Sequence, residues 1–473
     1  MTSKESGMSD HNLCFWQDSI YPQQRPQSLD RDIETDVAII GGGFTGLWTA
    51  YYLKQEAPDL KITILESRHC GFGASGRNGG WLMGNLAGEH HWLPKLPAAQ
   101  QQQTIALITG IVEEVKRVCT KHALDIDLQH GGTLYSACRY PEQESIQREL
   151  LASLYASGYQ EGDYQWLSPG ELQQQLQVAP CYGGIFTPHT AAIHPGKLVS
   201  QLVDTLKSLG VSIYQNTPIE HLEPRQLRTV NHAIKADIIV NATEAYNLLQ
   251  PKMRPYVLPI QSRVIATAPI AESVWQNVGL EQRQTFADAS RLVNYGQRTA
   301  DNRLVFGMRG DYRYGAKPQA EFSCPDKALS NIRHMIGELF PALDKVEITH
   351  HWGGSLGLSK DDTPYALFDP HSGIAQAGGY GGEGVGATNL MARTLCDMIF
   401  HKQTELSQAP WAHEGLAHKK LRRWEPEPLR WIGYNSIVKT LEIEENLCAK
   451  QQRPHWFRRI VTRFAGFLSR IFL

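Results

Sequence analysis

The chain has 473 residues, 42% apolar and 20% charged, with a formal net charge of −2 at pH 7. That mix suits a large globular protein of roughly three folding units at about 150 residues each. The near-zero charge excludes a nucleic-acid protein, which needs a basic field, and eight cysteines without a C-x-x-C pair point to free thiols rather than structural zinc or a disulfide scaffold.

Residues 1–34 read as a polar lead-in with turn signals at Tyr21-Pro22 and Arg25-Pro26. They lack an apolar signal core and a twin-arginine pair, so a cytoplasmic protein is expected. No run of about 18 uncharged apolar residues is present, and no spanning helix is expected. Order starts with the apolar run Asp36 to Ile40, a buried strand. The turn Gly41-Gly42-Gly43-Phe44-Thr45-Gly46 follows, then an amphipathic helix from Thr45 to Glu56, then a second strand from Lys61 to Glu66. Together they form a complete βαβ unit. A glycine-dense stretch runs from Gly71 to Gly88. Helices are predicted at 98–123 and 142–157, with a strand from Gly132 to Cys138 between them. A helix from Gly196 through Leu209 precedes strands at Val211–Gln215 and Asp237–Val240. From about Pro255 to Gly310 the pattern alternates, as an antiparallel sheet requires. A last buried strand, Ile374–Ala377, enters the third glycine loop, Gly378 to Gly386, and a helix runs on to about Phe400.

Gly41, Gly43 and Gly46 match G-x-G-x-x-G between a strand and a helix, with Glu66 20 residues beyond the last glycine. The first glycine permits the tight turn, the second admits a pyrophosphate and the third lets helix and strand pack closely. The helix N-terminus offers unpaired N–H groups to phosphate, and Glu66 suits a ribose hydroxyl. The spacing predicts a dinucleotide site. It does not separate NAD from FAD, but three separate glycine loops favour a long, enclosed cofactor.

The chain resembles the D-amino-acid oxidase-like (DAO) superfamily of flavoproteins, in the branch of sarcosine, glycine and γ-glutamylputrescine oxidases. The resemblance rests on Ile39 to Gly46, Gly73 to Gly80, His194 to Leu198 and Gly378 to Val385, with smaller echoes at Asp301 to Gly307 and Asp361 to Pro364. It implies an α/β (α+β) fold. A Rossmann-like FAD-binding domain from residues 35–90, 190–250 and 345–400 would interleave with a substrate domain. The latter, from 91–189 and 251–344, would be built on the antiparallel sheet. Residues 401–473 would form a C-terminal helical extension with an amphipathic end at 455–473.

The resemblance further implies non-covalent FAD. Gly41, Gly43, Phe44, Thr45 and Gly46 would meet the pyrophosphate, and Glu66, Ser67 and Arg68 the adenosine ribose. Ala74, Ser75, Arg77, Asn78, Gly79, Gly80, Trp81 and Leu82 would follow the ribityl and flavin. Ile219 would meet adenine, with Ala242 and Thr243 nearby. Gly381, Gly382, Glu383, Gly384 and Val385 would meet the flavin's N1–C2=O edge. Glu383, Tyr380 and Trp81 would line the substrate pocket. The expected reaction is oxidation of a primary or secondary amine by hydride transfer to flavin N5, giving an imine that water hydrolyses. Two alternatives are an amino-acid oxidase using Arg263, Arg298 or Arg309 for the carboxylate, and a membrane-tethered flavoprotein without turnover.

Two departures shape this expectation. The sarcosine oxidase pattern has a His and a Lys where this chain has Glu383 and Gly386, and its expected arginine is replaced near Trp81 and Leu82. An acidic, aromatic pocket suits a cationic amine; the bland reading of Glu383 is a helix cap. The strand Arg303 to Met308 has no lysine, which leaves O2, a quinone or another electron acceptor open.

Other motifs carry less. Gly353-Gly354-Ser355-Leu356-Gly357 fits a nucleophile elbow, but no clean helix start follows it. Adjacent histidines at 90–91 and 350–351 point to opposite faces if extended, and no metal site is expected. After Pro454, the residues Trp456, Phe457, Ile460, Val461, Phe464, Phe467, Leu468, Ile471 and Phe472 form one helical stripe, with Arg458, Arg459, Arg463 and Arg470 mostly opposite. This reads as a helix lying in a membrane interface, on the inner face of the membrane, or as a terminal helix docked on its own domain.

Overall fold

The computed structural model describes residues 14–20, 27–247, 253–318, 326–415, 421–450 and 454–472. Its first sheet grows from the glycine βαβ unit. Ile33–Ile40 pairs in parallel with Ile62–Leu65 on one side and Ala233–Asn241 on the other. Ser212–Tyr214 extends the first side, while Ile374–Gly378, Tyr365–Asp369 and Ala412–Glu414 extend the second. The central strand reads Val37, Ala38, Ile39 and Ile40, all buried, because both faces are covered. On one face the helix Phe44–Glu56 packs against Gly384–Ile399 and Pro195–Ser208. Among the described residues, no helix is long and apolar enough to cross a membrane.

The second sheet has eight strands, in the order Ile348–Ser359, Val257–Thr267, Leu304–Tyr312, Asn294–Arg298, Thr285–Asp288, Thr133–Ser136, Gly184–Thr187 and Gln165–Leu167. Its neighbours are antiparallel except for one parallel pair, Thr285–Asp288 with Thr133–Ser136. The alternating region from 255 to 310 thus lies where its patterning placed it. A two-stranded ribbon, Trp81–Met83 with Thr190–Ala192, lies beside the glycine loops.

The segment boundaries differ from expectation in three places. Ile348–Ser359, expected with the nucleotide domain, pairs along its length with Val257–Thr267 and so belongs to the second sheet. Its motif Gly353 to Gly357 is mid-strand, which removes the elbow. The predicted helix at 98–123 breaks at Gly110 into Ala98–Thr109 and Ile111–His122. Ile108, Ile111, Val115 and Val118 join the core packed on the first sheet rather than that of the second. The lead-in contains a short helix, Phe15–Asp18, whose Phe15 and Trp16 are buried. The turn signals at 21–26 lie outside the described residues.

Candidate active site

The first glycine turn is shaped by two close approaches. Gly41 holds φ +107°, and a Cβ there would sit 2.8 Å from Ala242 O. A Cβ on Gly46 would lie 2.1 Å from Gly41 O. Only residues without side chains permit this turn. The helix begins at Phe44, whose N–H donates to Ser75 Oγ at 2.8 Å. Glu66 is buried at the end of the second strand. Its Oε2 accepts from Gly42 N–H at 2.7 Å and its Oε1 from Arg68 N–H at 2.8 Å. The Thr217 N–H donates to Glu66 O at 2.8 Å, which brings the segment carrying Ile219 beside the acid. Thr243 leans back on Asn241, Oγ1 to Oδ1 at 2.7 Å.

The second glycine stretch is pinned from four sides. Asn78 Nδ2 donates to Ser75 O at 2.7 Å, and Gly80 N–H donates to Asn78 Oδ1 at 2.8 Å. Trp352 Nε1 donates to Arg77 O at 2.9 Å. Gln297 Nε2 donates to Gly79 O at 2.6 Å. The fourth tie comes from the N-terminal helix: Trp16 Nε1 donates to Asn78 O at 2.7 Å. Arg77 places its guanidinium over Phe72, 4.6 Å from the ring centroid. Trp81 meets Tyr295 edge to face at 5.8 Å. Leu82 is fully buried in the nucleotide core.

The third loop closes the junction. Tyr380 OH and Thr45 Oγ1 are 2.9 Å apart, so Tyr380, expected in the substrate pocket, ties the third loop to the first. Gly381 N–H donates to Gly357 O at 3.1 Å. A Cβ on Gly382 would meet nothing within 4 Å. Glu383 stands at the N-cap of Gly384–Ile399, yet its side chain makes no capping bond, which sets the bland reading aside. The loops around 43, 77 and 382 therefore meet. A dinucleotide fits this junction: open space at Gly382, the start of the Phe44 helix, and buried polar atoms without protein partners at Trp81 Nε1 and Gln297 Oε1.

Beyond Gly381 the chemistry changes. A Cβ on Gly381 would lie 3.3 Å from Glu383 Oε2 and 3.5 Å from Asp362 Oδ1. Burial, then Asp362 and Glu89, push the Glu383 carboxyl up to about 8. Burial holds Asp362 up at about 6, opposed by Arg309. Burial also holds Glu89 at about 7, although it accepts from Leu86 N–H at 2.8 Å. Tyr135, on the second sheet, is raised by burial and by Glu383 and Glu89. Glu383 thus feels the carboxyls of Asp362 and Glu89, which come from other segments, and a cation beside it would favour its ionised form. Of the three arginines considered as carboxylate clamps, Arg298 is engaged by Glu272 and Asn302 and Arg263 by Asp311. Arg309 acts on Asp362.

The sequence reading missed Trp16, Glu89, Asp362 as a pocket acid, Tyr135 and Gln297. Glu89 follows Gly88 in a stretch read only as glycine-rich, and Asp362 was seen only as part of a family echo. Nothing local distinguishes either from a surface acid. Glu244 was missed too. It lies at a turn with φ +45°, and burial raises it to about 7.

Comparison with known proteins is consistent with this geometry. A family model described as FAD dependent oxidoreductase, DAO, matches residues 36–398. The chain is 29% identical over 382 residues to a probable oxidoreductase, OrdL, of Rhizobium meliloti, covering 79% of this chain and 85% of that protein. It is 27% identical over 413 residues to the gamma-glutamylputrescine oxidoreductase of Escherichia coli, covering 83% and 90%. Among solved structures, the glycine oxidase of Bacillus cereus superposes with a TM-score of 0.64 at 18% identity, covering 81% of this chain and 99% of that one. A match that runs from the first strand to the end of the helix behind Glu383 fixes the assignment: the chain belongs to the DAO family of FAD-dependent oxidoreductases, and FAD is its cofactor.

Proposed function

We propose that the enzyme oxidises a primary or secondary amine that is cationic in solution and carries no carboxylate beside the reacting carbon. The observation that carries this reading is the pair of carboxyls, Glu383 and Asp362, beside Gly381 of the third loop, with Glu89 close enough to raise Glu383 further. FAD, held non-covalently, supplies the acceptor for a hydride from the amine's α-carbon. The chain's own residues bind, orient and deprotonate. Gly41 to Gly46, Glu66 and the 74–82 stretch hold the cofactor, and Trp81 with Tyr135 walls the pocket. An entering ammonium favours the ionised Glu383. Ionised in this way, Glu383 is placed to take a proton from the bound ammonium. The neutral amine that results is the form that loses hydride, and the imine leaves to be hydrolysed by water. Enclosure by both sheets holds the C–H bond in place and limits water.

The name of the gamma-glutamylputrescine oxidoreductase relative supports this substrate class, while that of the glycine oxidase relative points to the second reading. That second reading, an amino-acid oxidase, draws on Arg309, which lies close enough to Asp362 to lower it. O2, a quinone or another carrier would reoxidise the enzyme. A peripheral seat on the inner face of a membrane, through the C-terminal helix, would bring a quinone within reach.

The test is anaerobic mixing of the yellow holoenzyme with putrescine, N-acylated putrescines and simple alkylamines against glycine, sarcosine and D-alanine. Bleaching by the first group and none by the second is expected. Bleaching by the amino acids alone would refute the reading.

A further inference from the structure

The two C-terminal helices, Leu429–Lys450 and His455–Phe472, pack against each other and against the body of the protein. Their polarity is inverted. The inward side carries charge: Arg458 Nη2 lies 3.2 Å from Glu142 Oε1, Arg291 Nε 3.4 Å from Glu444 Oε2, and Arg139 Nη1 3.3 Å from Glu445 Oε2. Beside these pairs, Ala465 packs with Ile437 and Leu441, and Thr462 sits against the Cys448 thiol. The outward side carries the large apolar groups. Trp456 is 64% exposed, Phe467 58%, Ile460 56%, Phe464 55% and Phe457 36%. The two readings of the sequence are thus combined: the helix is docked on its own protein, and its apolar stripe still faces out.

At about 100° per residue, these five side chains fall in one arc of the helix, opposite Arg458 and Ala465. Arg463 and Arg459, both exposed, lie along one edge of that arc. No Asp or Glu occurs from residue 446 to the end. A contiguous apolar face with aromatic groups and a cationic edge has the composition of an interfacial helix, with rings at the acyl boundary and guanidinium groups among anionic headgroups. A second copy of the same face fits less well, because two copies would bring their arginine edges together without acids to oppose them.

We propose that the outward face of His455–Phe472 is a lipid-docking pad that seats the enzyme on an anionic membrane surface. The proposal deepens the membrane seat put forward above and does not depend on the amine chemistry. The terminal helix is held by the Arg458–Glu142 pair and by the small side chain of Ala465 against Ile437 and Leu441, which leaves its large apolar groups turned outward.

The test is co-sedimentation of the full-length, flavin-loaded protein with vesicles of phosphatidylcholine, with and without phosphatidylglycerol. The protein is expected to pellet with the anionic vesicles. The double variant Ile460→Glu/Phe464→Glu alters only exposed groups, so flavin content and melting temperature should be kept while binding falls on the order of 100-fold. Arg459→Glu/Arg463→Glu should weaken binding to anionic vesicles about 30-fold and remove the preference for them. Wild-type protein that stays in the supernatant with anionic vesicles overturns both the pad and the membrane seat. Unchanged binding by Ile460→Glu/Phe464→Glu overturns the pad while leaving the seat to another surface. A dimer that this variant dissolves, with no vesicle binding by the parent, assigns the face to a second copy and overturns the proposal.

Discussion

The two ends of the candidate site are built on opposite principles. At the nucleotide end, backbone groups, small side chains and a single acid satisfy one another: Glu66 takes two N–H donors, Ser75 meets the start of the helix, and Thr45 meets Tyr380. At the other end, Glu383 is raised by burial and by the carboxyls of Asp362 and Glu89, while Arg309 opposes the shift at Asp362. The first end is largely tied together by the protein's own groups, with Trp81 Nε1 and Gln297 Oε1 left for a ligand. On the reading proposed here, the second is completed by a cationic substrate. The contrast separates residues that make the cofactor fit from residues that choose the substrate.

Substitutions should divide along that line. The largest effect is expected from Gly46→Ala. Its Cβ would press on Gly41 O at 2.1 Å, so the purified protein should be colourless and inactive. Yellow, active protein would break the nucleotide half of the comparison. Next is Trp16→Ala, which removes a fully buried ring and its bond to Asn78 O. It should cost about 3–5 kcal/mol by denaturant titration, with weaker flavin retention as the 74–80 stretch loosens. Glu383→Gln should keep its flavin but raise KM for a cationic amine about 10- to 100-fold, the scale of one hydrogen bond to a charge. Equal losses for neutral and cationic ligands would erase the distinction between the two ends.

The smallest effect is a pH slope. Glu383, Glu89 and Asp362 hold their protons in the folded state to about 8, 7 and 6, above the ordinary carboxyl range near 4. The folded state therefore binds more protons between those limits. The contribution of these three groups to the stability of the flavin-free protein is fully present below about pH 4 and is lost as pH rises toward 8. The slope is roughly 1 kcal/mol per pH unit for each group in its own window. In Glu383→Gln the fall between pH 7 and 8 should flatten. Thermal melts across this range provide the check.

How much of this was legible in the sequence follows from the same contrast. Gly41, Gly43, Gly46 and Glu66 lie on adjacent elements of one βαβ unit, so spacing alone encoded their meeting. Strand patterning likewise placed Val257–Thr267 and Ile374–Gly378. Glu89, Asp362 and Glu383 come from three segments and converge only through tertiary packing, and periodicity holds no record of that. Glu383 was noticed because it stands where a related pattern has histidine, but its neighbours were not. The strap at Trp16 was hidden for a different reason: a four-residue helix in a polar lead-in carries too little pattern to signal burial. Ile348–Ser359 joins the other sheet from the one expected, because a strand's own pattern does not reveal its partner. The C-terminal helix showed its stripe but not which side would face inward, since that is decided by Glu142, far away in the chain.

The central claim, that the substrate end is completed by a cation, is tested most directly by calorimetry of an unreactive alkylguanidinium binding to the holoenzyme near pH 7, in buffers of different ionisation enthalpy. The account predicts release of close to one proton on binding, as the Glu383 carboxyl is converted to the ionised form, and its loss in Glu383→Gln. Binding with no proton release, or the same release from both proteins, would contradict it.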